Sequence, residues 1–132
     1  MRHSFNFDSL ASVTGSVILK SVCAETAAFP KLKRIAGDLD VNNSFIRHGL
    51  DFTALESIEG SFKVVSSHIK VNNLKSIGAH LPGSKFHLAY TTLEMDTIDF
   101  DHLELLGSDS VDINSNNHVS FKRLKEGLNN SF

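Results

Sequence analysis

Residues 29–46 read Phe29-Pro-Lys-Leu32-Lys-Arg-Ile35-Ala-Gly37-Asp-Leu39-Asp-Val41-Asn-Asn-Ser44-Phe-Ile46. Phe29, Leu32 and Ile35 recur every third residue, a glycine follows, and Leu39 and Val41 then alternate with polar residues. The alternating part has the period of a β-strand with one face buried. The same order, F-x-x-L-x-x-I-x-G-x-φ-x-φ with φ apolar, returns at Phe52-Leu55-Ile58-Gly60-Phe62-Val64 and at Phe7-Leu10-Val13-Gly15-Val17-Leu19. Looser copies start at Val71 and Phe100, and a truncated one starts at Phe121.

Aligned on the alternating pair, the chain holds Val17/Leu19, Leu39/Val41, Phe62/Val64, Phe86/Leu88 and Val111/Ile113, at spacings of 22, 23, 24 and 25 residues. Short strands of this kind cannot bury an apolar face singly, but parallel stacking gives them a common core, which is the logic of a solenoid. Two further columns keep the register. Val22, Ser44, Ser67, Thr91 and Asn116 supply mostly short hydrogen-bonding side chains, and Ala24, Ile46, Ile69, Leu93 and His118 are mostly apolar. A hydroxyl or amide between apolar neighbours can satisfy backbone groups where the chain turns away from a strand.

The pattern L-x-x-L followed by L-x-L-x-x-N-x-L resembles the leucine-rich repeat family, with residues 32–46 as its best copy and about residues 7–128 covered. The asparagine column is mostly Ser or Thr, Phe and Val often replace Leu, and the terminal cysteine caps of the family are missing. The resemblance implies an α/β solenoid of about five coils. A short parallel β-sheet would lie on one face, with irregular or 3₁₀ return segments behind it. The expected strands lie near 16–20, 38–42, 61–65, 85–89 and 110–114 of one domain, 1–132, with end caps at 1–9 and 121–132. The F-x-x-L-x-x-I segments have the spacing of one helical or 3₁₀ turn. Gly15, Gly37, Gly60 and Gly107 suit turns with positive φ. An ordinary α/β or β-sandwich domain, with these segments as amphipathic helix fragments, is the competing fold.

The composition fits one globular domain. The chain has 132 residues, of which 41% are hydrophobic and 21% charged, with a net charge of −2. Nothing in that balance calls for nucleic acid. Ten Phe and no Trp make the aromatic content core-like, because most Phe fall at repeat positions. No signal-peptide-like apolar run opens the sequence and none is long enough for a membrane helix, so the expectation is a cytoplasmic protein without membrane contact. A mature secreted fragment is the alternative. The single Cys23 cannot form an internal disulfide and is expected to be a buried structural thiol.

No catalytic constellation is present. The seven histidines, His3, His48, His68, His80, His87, His102 and His118, show no metal-ligand spacing, and there is no phosphate loop or nucleophile elbow. No enzyme activity, cofactor or metal is expected. The candidate site is instead the row of outward residues between the strand core positions: Ile18, Asp40, Lys63, His87 and Asp112. In the resembling family this face binds partners, so the row implies a protein-binding module, a small adaptor or inhibitor. An insertion at His80-Leu81-Pro82-Gly83-Ser84 adds a candidate contact loop. The alternative is a structural protein that self-assembles into homo-oligomers through uncapped solenoid ends or edges.

Overall fold

A computed structural model describes residues 4–65, 69–71, 73–78, 85–89, 97–99, 103–106, 110–114 and 118–120. The described chain is a parallel β-solenoid. Its first turn holds β1 (Ser4–Asn6), β2 (Ser12–Val13), β3 (Val17–Lys20) and β4 (Cys23–Ala24). Its second turn repeats them as β5 (Thr26–Ala28), β6 (Arg34–Ile35), β7 (Leu39–Asn42) and β8 (Phe45–Ile46). The third continues with β9 (Leu50–Asp51), β10 (Ser57–Ile58) and β11 (Phe62–Val65), and leads to β12 (Ile69–Lys70), β13 (Ser76–Ile77) and β14 (Lys85–Ala89). The last elements are β15 (Thr97–Asp99), β16 (Leu105–Leu106), β17 (Ser110–Asn114) and β18 (His118–Ser120).

Three parallel sheets wall the bore. They run β1-β5-β9-β12, β2-β6-β10-β13-β16 and β3-β7-β11-β14-β17, and β4 pairs with β8 at a corner. The third sheet holds the alternating pairs in register, Val17 beside Leu39, Leu39 beside Phe62, Phe62 beside Phe86 and Phe86 beside Val111. Its strands fall at 17–20, 39–42, 62–65, 85–89 and 110–114.

Two expectations are corrected. The α/β label fails, because the described residues contain no helix and the return segments carry two further sheets. The F-x-x-L segment is a β-turn at the corner between two sheets. Leu32 N–H donates to Phe29 C=O at 3.2 Å, Leu55 N–H to Phe52 C=O at 3.0 Å, and Leu74 N–H to Val71 C=O at 3.1 Å. Five complete coils are not seen among the described residues either. About three turns close fully, from β1 through β5 and β9 to β12, and β15 then pairs with β18 rather than extending that face. The expected end caps lie mostly outside the described residues, as do residues 1–3 and 121–132.

The core is built of columns one turn apart. Leu32, Leu55, Leu74 and Leu103 are fully buried, as are Ile35 and Ile77 with Ile58 beside them. Removing such side chains from water contributes roughly 1.5–3 kcal/mol each. Phe7, Phe29 and Phe52 stack with centroids 4.7 and 4.5 Å apart and planes within 9° of parallel. That spacing matches the roughly 4.8 Å between neighbouring strands, so identical positions in successive turns meet ring on ring. Phe62 and Phe86 stack likewise at 5.0 Å.

Polar groups are satisfied by ladders of the same period. Ser44, almost fully buried, accepts the Val22 N–H at 3.1 Å and lies 3.2 Å from the Asn42 carbonyl, to which it can donate. This is the role foreseen for its column; Ser67, Thr91 and Asn116 lie outside the described residues. Ser21 and Asn43, equivalent in successive turns, have φ of 55° and 51° and swing the chain out of the strand.

The candidate binding face on the third sheet

The predicted row is assembled by strand register. Ile18 pairs with Asp40, Asp40 with Lys63, Lys63 with His87, and His87 with Asp112. Alternation explains it: in β7 and β11 the core takes Leu39, Val41, Phe62 and Val64, so Asp40 and Lys63 must point away. Ile18 is 59% exposed, Lys63 is exposed, and Asp40 and His87 are half-buried. Asp112 is placed by its backbone alone, and the loop His80–Ser84 lies outside the described residues.

An open groove of about 490 Å³ lies over β7, β11 and β14, lined by Asp38, Asp40, Ser61, Lys63, Lys85 and His87 among others. Two of its side chains are held by the backbone of the next turn. Asp38 Oδ1 accepts the Ser61 N–H at 2.7 Å, and Ser61 Oγ accepts the Lys85 N–H at 2.9 Å. Asp40 Oδ1 is buried and has no hydrogen-bond partner among the described residues. A buried acceptor left unpaired costs about 1–3 kcal/mol.

The rest of the surface differs from expectation in two ways. Cys23 is exposed and not a buried thiol, because Ala24 takes the inward position of β4 and turns its neighbour outward. Phe7 is 44% exposed although its repeat position is a core position, since its ring is the first of the stack. Phe5, 43% exposed, lies beside it, and the two line an apolar hollow of about 210 Å³ with Leu19, Val22, Phe29 and Ile46. The signal for this end patch was the Phe5-x-Phe7 pair. Glu25 with Arg47, and Arg34 with Glu59, form ion pairs on other faces, and His48 Nε2 lies 3.2 Å from Glu25 Oε1.

No protein-family model matches the chain, and neither the curated proteins nor the solved structures contain a significant match. Among the described residues no helix is long and apolar enough to cross a membrane, and no three His, Cys, Asp or Glu side chains gather as a metal site.

Proposed function

We propose that this chain is a non-enzymatic protein-binding module, a small adaptor or inhibitor of the cytoplasm, acting through the outward face of β3, β7, β11, β14 and β17. The supporting observation is the in-register row Ile18, Asp40, Lys63, His87 and Asp112, whose middle three residues line a groove of mixed charge. Such a face favours a selected protein surface over a polyanion, since opposite charges sit one strand apart. The order of Leu32, Ile35, Leu39 and Val41 supports a leucine-rich-repeat kinship of the repeat unit. The test is charge reversal at Asp40, Lys63 and Asp112 together. Capture of a protein partner is lost while the melting temperature is kept; unaltered capture refutes the proposal.

A second reading, self-assembly through the solenoid end, is favoured by the exposed Phe5 and Phe7 around the apolar hollow, beside the edge strands β1, β2 and β3. Light scattering over a concentration series decides it, and a strict monomer at high concentration excludes it.

A further inference from the structure

We infer that the groove on the third sheet takes an extended peptide carrying a basic and an acidic residue two positions apart. This deepens the strand-face reading above and rests on it. The charge in the groove is sorted by strand. Asp40 on β7, with Asp38 just before it, makes the negative end; Lys63 on β11 and Lys85 on β14 make the positive end. The sorting is held in place: the Ser61 N–H fixes the Asp38 carboxylate, and Ser61 Oγ fixes the backbone at Lys85.

The distances select the ligand. Neighbouring strands stand roughly 4.8 Å apart, so the midpoint between β11 and β14 lies about 7 Å from β7. Residues i and i+2 of an extended chain share one face and lie roughly 6.6–6.8 Å apart. A peptide laid across the strands along the solenoid axis therefore seats a cation at i over Asp38 and Asp40. Its carboxylate at i+2 then stands between Lys63 and Lys85. The residue between points away. A basic residue directly next to an acidic one cannot fill both ends, because the two side chains leave opposite faces of the extended chain.

The test uses the full chain and short fluorescent peptides in a Ser/Thr background, read by anisotropy. One set carries Arg-Ser-Glu or Glu-Ser-Arg and the other carries adjacent Arg-Glu. The peptides with the two-residue spacing, in at least one direction, bind at least about tenfold more tightly than the adjacent pair, the scale of one charge-assisted hydrogen bond. Asp40→Asn and Lys63→Gln each remove that preference, and Lys85→Gln repeats the check at an exposed position. Equal binding of all peptides overturns the inference, as does a preference that survives these variants. If no peptide binds but the charge-reversed row still loses its protein partner, the inference fails and the binding-module proposal stands. If the row reversal also leaves capture intact, both fail. A wild-type dimer in sedimentation velocity that Lys63→Glu dissociates assigns the face to a second copy of the chain and likewise overturns the inference.

Discussion

Asp38 Oδ1 accepts the backbone N–H of Ser61 at 2.7 Å, joining one turn of the solenoid to the next. The equivalent position one turn earlier is Ser16, whose Oγ accepts the Asp38 N–H at 2.9 Å; one turn later, Ser61 Oγ accepts the Lys85 N–H at 2.9 Å. These residues stand just before the strands of the third sheet. Backbone carbonyls there already serve other donors: Gly15 C=O takes the Gly37 N–H and Gly37 C=O takes the Gly60 N–H. A short side-chain acceptor at this position is thus part of the stacking, and Asp38 and Ser61 also line the groove over β7, β11 and β14.

Replacing Asp38 by Ala leaves the Ser61 N–H to solvent. The site is exposed, so water substitutes in part and the loss is about 0.5–1 kcal/mol. Asp38→Ser restores most of it, because serine does the same work at positions 16 and 61. Urea unfolding of the two variants checks this; equal losses would show that the side-chain acceptor contributes nothing.

The glycines beside this ladder are needed for a different reason from the expected one. Among the described glycines only Gly49 and Gly78 have positive φ. A Cβ on Gly60 would instead collide with Asp38 Oδ1 and come within 2.7 Å of the Gly37 carbonyl oxygen, whereas a Cβ on Gly15 meets nothing within 4 Å. Gly60→Ala therefore destabilises by about 1–3 kcal/mol, the usual cost of overpacking. Gly15→Ala stays within roughly 0.5 kcal/mol of wild type. Chemical denaturation of the pair measures the difference, and similar midpoints would refute the close-approach explanation.

The contrast shows what the sequence carries and what it does not. The strand row was legible because Leu39-x-Val41 and Phe62-x-Val64 alternate, and a one-residue slip would expose every core side chain. The corners were not, because Phe29 and Leu32 stand three apart in a helical turn and in a β-turn alike; only the chain beyond the turn separates the two, and here it becomes β6. The orientation of Cys23 depends on which residue of a two-residue strand faces inward, a choice that so short an alternation leaves open. The candidate row was placed by the same alternation as the core. The sorting of its charges into a groove, and the lone Asp40 oxygen in it, depend on three-dimensional neighbours that no linear pattern fixes.

Ser44 carries a hydrogen-bonding hydroxyl into the bore. Its Oγ accepts the Val22 N–H and lies within reach of the Asn42 carbonyl, with only 4% of the residue exposed. Ser44→Ala removes the acceptor and leaves a partly buried N–H unpaired, at a cost of about 1–3 kcal/mol. Hydrogen exchange gives the sharper readout: the Val22 amide loses protection while the amides of β11 keep theirs. Unchanged protection at Val22 would mean that water replaces the hydroxyl.

The phenylalanine stack ties stability to position along the solenoid. Phe29 is 4% exposed and lies between Phe7 and Phe52, with rings on both faces at 4.7 and 4.5 Å. Phe7 has one ring neighbour and 44% of its surface open. Phe29→Ala therefore loses about 3–5 kcal/mol through lost transfer energy and a cavity that the rigid turns cannot close. Phe7→Ala loses well under half of that, since much of its ring never left water. Thermal melts of the two variants at low protein concentration test the ranking. If the end patch also mediates self-association, Phe7→Ala has a second signature that Phe29→Ala lacks: scattering at high concentration falls to the monomer value while the melting temperature at low concentration barely moves. A Phe7 variant as unstable as the Phe29 variant would show that the first turn is covered at its open end.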